Sequence, residues 1–157
     1  MKRYEIVRDE NAEEPEILTR ITYSKRSRYV LGNTTDAPSA ESIVIPVFVY
    51  VHSGAMIRAA HSFYELGPPF TDRFDAGYSG MAWIDREQAR KCLGVKKLTV
   101  KDRRKLEEII KNDVKTFSSW LEGECYGFKI FDGEDEIDSC YGFYGYDDAV
   151  NAAKELI

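Results

Sequence analysis

The sequence has few of the residues from which most catalytic centres are built. It contains only two histidines, so any histidine-dependent acid–base chemistry or metal site must use His52 or His61. It has no glycine-rich phosphate loop and no GxSxG nucleophile elbow. Its acidic run from 132 to 138 lacks the loop length and the distal glutamate of an EF-hand. We therefore assign no catalytic residue, no metal ligand and no cofactor, and we favour a protein that is not an enzyme.

Cysteine is also scarce. Cys92, Cys125 and Cys140 form an odd set without CxxC spacing, which argues against a disulfide framework and against a zinc site. We interpret them as free thiols in a reducing compartment. Pairing of the C-terminal strands predicts that Cys140 faces Gly127 and lies diagonal to Cys125, so both thiols are expected to be small buried side chains.

Long hydrophobic runs are absent. The longest apolar stretch, 43–51, is too short to span a bilayer, and the charged N-terminus has no apolar region of the kind found in secretory signals. We expect a cytoplasmic protein that makes no membrane contact.

The elements that are present predict one α+β domain over residues 1–157, a length at which a single core is sufficient. Alternation and β-branched residues predict strands at 3–8, 17–23, 43–51, 55–60, 81–84, 124–131 and 136–143. Glycine, proline and serine predict a flexible loop at 31–42 and a long loop at 61–80. The sheet is expected to be mainly antiparallel and built from hairpins.

Capping residues and apolar spacing predict three helices. Asp85 caps a helix over 86–93, which Gly94 ends. Thr99 opens a long amphipathic helix to Leu121, with apolar residues at three- and four-residue steps. A C-terminal helix begins near Asp147, where negative charge suits the helix dipole.

Charge is distributed unevenly about a formal net of -5. Residues 81–115 carry 11 basic and 6 acidic side chains, whereas residues 116–157 carry 2 basic and 10 acidic ones. This contrast indicates either compensation within the chain or an acidic face for a basic partner. The aromatic and glycine residues of the C-terminal hairpin are typical of a base-stacking platform, but the local charge disfavours direct nucleic-acid binding by this face. The basic face of the long helix has no assigned role.

Four aromatic and glycine-rich segments resemble a family of small uncharacterised proteins from bacteriophages and other mobile elements. The segments are PVFVYVHSG from Pro46, SGMAWID from Ser79, LEGECYGF from Leu121 and DSCYGFYG from Asp138. The resemblance covers roughly residues 43–146, and Val51 departs from its pattern without touching a known functional residue. It implies an accessory role against a host function, in the host-cell cytoplasm, and carries no catalytic residues with it.

The leading hypothesis is a non-enzymatic, acidic protein-binding accessory protein of a phage or mobile element. Its partner is expected to be a host protein, such as a nucleic-acid-handling defence enzyme that it inhibits, because spaced carboxylates imitate phosphates. The residues expected to bind the partner are Glu134, Asp135, Glu136, Asp138, Tyr144, Asp147 and Asp148. Two alternatives stay open: a small enzyme with a cleft under the 61–80 loop that uses His52 or His61, and a module that self-associates through its aromatic hairpin. The oligomeric state is also open.

Overall fold

The computed structural model describes all 157 residues as two antiparallel sheets and three α-helices. The elements are β1 (Lys2–Arg8), β2 (Arg20–Thr22), β3 (Ile43–Val51), β4 (Ala55–Ala59), a 3₁₀ turn (Phe63–Glu65), β5 (Ala76–Ile84), α1 (Arg86–Leu93), α2 (Val100–Leu121), β6 (Cys125–Asp132), β7 (Asp135–Tyr144) and α3 (Tyr146–Lys154). The α+β class with antiparallel sheets is confirmed, as are the long amphipathic helix and the C-terminal helix.

The chain divides into two compact units. Unit 1 consists of Met1–Pro15 and Ser119–Ile157, and unit 2 consists of Glu16–Ser118. The first unit is therefore built from both ends of the chain, and the second is a continuous segment. The single domain predicted from the chain length stays a prediction.

Unit 1 contains a three-stranded sheet in the order β1-β6-β7. Alternation in β1 half-buries Tyr4 and Ile6, which pack with α3 residues against the buried Phe128 and Ile130 of β6. Ala153 of α3 is fully buried in the same cluster. One face of this sheet is thus covered by α3, as the period of two in β1 requires.

The β6–β7 hairpin is confirmed, but its register corrects one prediction. Gly133 has φ 63 at the first central position of a two-residue turn, which is where a type II′ turn needs glycine. A bulge between Ile130 and Phe131 then inserts one residue into β7, so Cys140 pairs with Phe128 instead of Gly127. Cys140 is exposed, so the prediction that it is buried is wrong. Cys125 is buried, and burial raises the pKa of its thiol, which disfavours the nucleophilic thiolate.

Unit 2 contains a four-stranded sheet in the order β2-β5-β3-β4. In β3, Ile43, Ile45 and Val47 are buried at alternate positions, as expected of a strand with one core face. The buried stripe of α2 comprises Leu106, Ile110, Val114, Phe117 and Ser118. The Ser118 hydroxyl accepts the Ile57 backbone N–H at 3.0 Å, which ties this end of the helix to β4.

The predicted loop at 61–80 is too long, because β5 begins at Ala76. Gly77 and Gly80 were interpreted as loop residues, but they lie inside this strand. A Cβ at Gly80 would lie 2.1 Å from the Thr22 carbonyl oxygen, so glycine permits close approach of β2 to β5. The strand predicted over 17–23 is correspondingly short, since only Arg20–Thr22 pairs with β5.

The residues at 31–42 form a connection without a helix or an extended strand. The flexibility predicted for this connection stays a prediction. The Asn33 side chain accepts the Ile21 N–H at 2.7 Å and donates to the Thr19 carbonyl at 3.1 Å. These bonds hold the start of the connection against β2. No helix of the structure combines the length and the apolar character needed to cross a membrane.

Gly80→Ala should destabilise the protein, because the new methyl group would collide with the backbone of β2. We expect the free energy of unfolding to fall by about 2–3 kcal/mol, the cost of overpacking a rigid site. Urea denaturation followed by circular dichroism measures the change. Gly77→Ala in the same strand is the matched control, since a Cβ there meets nothing within 4 Å. Equal losses in the two variants would contradict the close approach.

Candidate functional site

The outer strand of unit 1 presents a continuous exposed surface. All eight residues from Asp135 to Gly142 of β7 are exposed, although most strands in a sheet bury every second residue. They include two large apolar side chains, Ile137 at 50% and Tyr141 at 48% exposure. Three of the eight are carboxylates. This strand combines charge with aromatic and aliphatic area, as binding surfaces do.

The free edge of β7 is poorly suited to pairing with another strand. Its pairing with β6 has two register shifts, one between Ile130 and Phe131 and one between Tyr126 and Phe128. Bulges and charged side chains on an edge strand oppose the addition of a further strand. Recognition here must therefore use side chains more than main-chain hydrogen bonds.

The charge of the two units differs in sign. Unit 1 contains 5 basic and 15 acidic side chains, a formal net charge of -10. Unit 2 contains 17 basic and 12 acidic side chains, a formal net charge of +5. The acidic character noted in the C-terminal third of the sequence is therefore a property of a whole folded unit, because the four carboxylates of residues 9–15 outweigh the net positive charge of β1.

The seven predicted binding residues fall into two groups. Four lie at or near the hairpin turn and form what we call the tip cluster: Glu134, Asp135, Glu136 and Asp138. Tyr144, Asp147 and Asp148 lie at the other end of β7 and at the start of α3. A strand of this length separates its ends by roughly 30 Å, so the two groups do not form one compact patch.

The carboxylates of the tip cluster are only partly engaged within the protein. Glu136 lies 3.7 Å from the Lys129 ammonium, and Asp138 accepts the N–H of the neighbouring Ser139 at 2.8 Å. The carboxylates of Glu134 and Asp135 form no hydrogen bond or ion pair, and both side chains are exposed. A partner can therefore pair with these two carboxylates without breaking an ion pair inside the protein.

The other group has structural partners. Tyr144 is half-buried and its hydroxyl donates to the Glu13 carbonyl at 2.6 Å. Loss of solvent around the phenol raises its pKa, so the hydroxyl stays a donor. Asp147 and Asp148 are exposed in the first turn of α3, where their negative charges interact favourably with the helix dipole. These three residues stabilise unit 1 whether or not a partner binds them.

Tyr141 is a surface aromatic of the C-terminal hairpin that was not among the predicted binding residues. A Cβ at Gly127 would lie 2.3 Å from Cδ1 of Tyr141, so the ring rests directly on this glycine. In the register that the structure shows, Gly127 lies next to Tyr141 across the hairpin. The register predicted without a bulge pairs Gly127 with Cys140, so this contact was missed. A second surface aromatic contact lies on β6, where Cζ of the Arg3 guanidinium is 4.3 Å from the centroid of the Phe131 ring.

Each histidine pairs with a different carboxylate. The His52 Nδ1 lies 3.3 Å from Asp75, and the His61 Nε2 lies 3.0 Å from Glu107. Both histidine side chains are exposed to solvent. No group of three or more histidine, cysteine, aspartate or glutamate side chains is arranged to hold a metal ion.

A cavity of about 460 Å³ lies beneath the segment that follows His61. It is lined by Met56, Arg58, Ala59, Glu65, Leu66, Pro68, Pro69, Phe70, Lys111 and Lys115. Neither histidine lines this cavity, but the His61 backbone N–H donates to the Glu65 carboxylate, which does. Its charged lining residues are Arg58, Glu65, Lys111 and Lys115.

Comparison with known proteins identified no matching family model, no similar curated protein and no similar solved structure. The resemblance to mobile-element proteins therefore stays a prediction.

Tyr144→Phe should lower the free energy of unfolding without affecting partner binding. Removal of the hydroxyl leaves the Glu13 carbonyl without its donor, at a cost of about 1 kcal/mol. Denaturant unfolding of wild type and variant measures the difference. Above pH 10, the ordinary value for tyrosine, the difference should shrink. There the unfolded wild type loses its phenol proton before the folded one, so the stability that this tyrosine contributes is lost as pH rises.

Tyr141→Phe is the matched control, because the Tyr141 ring is half-exposed and its hydroxyl forms no hydrogen bond. It should leave stability unchanged. A loss of stability as large as that of Tyr144→Phe would show that the Tyr144 hydrogen bond contributes nothing of its own.

Proposed function

We propose that this chain is a non-enzymatic protein that binds a basic surface of a partner protein through the tip cluster and the exposed residues of β7. The observation that carries the proposal is the run of eight exposed residues in one outer strand of a unit with net charge -10. Such a surface attracts a positively charged partner over distances comparable to the Debye length, about 8 Å at physiological salt.

The chemistry of the surface supports a partner that normally binds phosphates. Because of the bulge, Glu136 pairs with Phe131 and Asp138 pairs with Ile130, so the hairpin presents these two carboxylates from opposite faces of a fixed support. Glu134 and Asp135 project from a tight turn, and Glu136 and Asp138 follow along the strand. Arginine and lysine side chains that contact nucleic-acid phosphates can pair with carboxylates in the same way.

The partner class that follows is a nucleic-acid-handling enzyme whose basic groove this surface occupies. Occupation of the groove excludes nucleic acid and so inhibits the enzyme. The resemblance to mobile-element proteins supports a host enzyme as the target and the host cytoplasm as the place of action. Tyr141 and Ile137 supply the apolar contact area that a purely electrostatic surface lacks, since aromatic residues contribute strongly at interface centres.

Reversing charge in the tip cluster should abolish this binding. The triple variant Glu134→Lys, Asp135→Lys and Asp138→Lys leaves the Glu136–Lys129 pair in place and changes the charge of the turn. We expect the partner to bind at least about tenfold more weakly, and wild-type binding to weaken steeply with added salt. Affinity capture from a host lysate identifies the partner, which is then purified and titrated against each variant by calorimetry.

The matched control reverses three other exposed carboxylates of unit 1, Glu10, Glu14 and Glu155, for the same change in net charge. Equal weakening in the two triple variants would show that net charge, not the tip cluster, directs binding. A duplex oligonucleotide that competes with this protein for the purified partner supports the shared groove, and simultaneous binding of both contradicts it. If no partner is retained and light scattering shows dimers that the tip variant disrupts, the surface serves self-association instead.

A further inference from the structure

Unit 2 carries a basic segment that the proposed function does not use. Residues 86–105 contain nine basic and two acidic side chains and no aromatic residue. The segment covers α1, the connection after it and the first turns of α2. Its basic residues are Arg86, Arg90, Lys91, Lys96, Lys97, Lys101, Arg103, Arg104 and Lys105. All of them except Arg86 and Arg90 are exposed.

The local carboxylates neutralise little of this charge. Glu41 pairs with Arg86 at 3.2 Å, and this is the one ion pair of the segment within 4 Å. Asp102 accepts the Thr99 N–H at 2.9 Å, so its carboxylate is directed back to the start of α2. This bond holds the pKa of Asp102 below its ordinary value. The exposed lysines and arginines are thus free to meet an external anion.

Three cations from different parts of the segment meet at one cavity. The cavity has a volume of about 330 Å³. Its three cations are Arg86 at the start of α1, Lys97 in the connection and Arg103 in the first turn of α2. The other lining residues are Ala40, Glu41 and Leu98. With Glu41 counted, the lining carries a formal charge of +2. Cations that converge on one cavity from three elements can contact a single anion together, whereas a row of cations along one solvated helix face cannot.

The scaffold that carries these cations is fixed by local hydrogen bonds. Gly94 ends α1 with φ 66, and the Val95 N–H donates to the Arg90 carbonyl at 3.1 Å. The Arg90 guanidinium donates to the Lys96 carbonyl at 3.4 Å, and the Thr99–Asp102 capping box fixes the start of α2. The connection that holds Lys96 and Lys97 is therefore ordered before any ligand binds, which lowers the entropy cost of binding.

The composition of the segment selects among polyanions. Single-stranded nucleic acid is bound through aromatic stacking, and the segment has no aromatic residue. A membrane surface requires an exposed apolar helix face, whereas the apolar stripe of α2 is buried. Protein interfaces depend on buried aromatic anchors, which are also missing. The phosphate backbone of a nucleic-acid duplex needs only spaced cations.

We infer that the basic segment 86–105 of unit 2 binds the phosphate backbone of double-stranded nucleic acid without reading its sequence, with the Arg86–Lys97–Arg103 cavity seating one phosphate. The net negative charge of the chain does not prevent this, because at about 0.1 M salt each charge acts over about 10 Å. This inference is independent of the acidic surface of unit 1 and goes beyond the proposed function.

The test is fluorescence anisotropy of the full chain with a labelled duplex of about 20 base pairs, between about 50 and about 200 mM salt. The double variant Lys97→Ala, Arg103→Ala should bind about tenfold more weakly, and the slope of log affinity against log salt should fall by about two. Duplexes of unrelated sequence should bind equally. Circular dichroism confirms that the variant is folded.

The matched control is Lys25→Ala, Arg26→Ala, which removes the same two exposed residue types from unit 2 outside the segment. It should bind like the wild type. Four outcomes would each overturn the inference. Two concern the duplex itself: equal weakening by both double variants, and no duplex binding at the lowest salt. The other two are tighter binding to single-stranded oligonucleotide than to duplex, and tighter binding to phosphatidylserine vesicles than to duplex.

Discussion

The pairing of β1 with β6 is the contact on which the organisation of this chain depends. It joins strands from opposite ends of the sequence, with Ile6 opposite Phe128 in the middle of the ladder. Without β1, the β6–β7 hairpin would be a two-stranded ribbon with α3 beside it, and isolated hairpins are marginally stable in water. Contacts between distant parts of a chain also form late, because closing the intervening loop costs entropy. Unit 1 is therefore expected to complete its sheet only after the whole chain is available.

The same pairing contributes to the segregation of charge. Residues 119–157 carry a formal net charge of -8, residues 1–15 add -2 to the same unit, and the intervening segment 16–118 holds most of the basic residues. A chain of modest net charge thus folds into an acidic unit and a basic one. Added salt screens the potentials of both units, so the ionic strength of an experiment sets how strongly each unit attracts a partner of opposite charge.

Most of the local structure could be predicted from the sequence, because the signals were local. Asp85 and Gly94 bound α1, Thr99 opens α2, and Gly133 marks the hairpin turn, each through the side-chain or backbone chemistry of one position. The errors arose where a distant strand decides the outcome. Glycines such as Gly77 and Gly80 are typical of loops. In this protein both lie in β5, and Gly80 must be glycine because β2 passes too close for a Cβ. The bulge that moves Cys140 opposite Phe128 depends on the fit between whole strands. For the candidate surface, exposure of the tip cluster followed from composition, whereas the packing of Tyr144 onto Glu13 required the fold.

The distribution of thiols offers a practical consequence. Cys92 is exposed in unit 2, Cys140 is exposed in unit 1, and Cys125 is buried with a raised pKa. Maleimide reagents modify accessible thiolates and spare a buried thiol of raised pKa. The natural sequence therefore accepts one spectroscopic probe in each unit without any mutation. A donor and acceptor dye pair attached in this way reports on the separation of the two units and on how a ligand bound to one of them alters it.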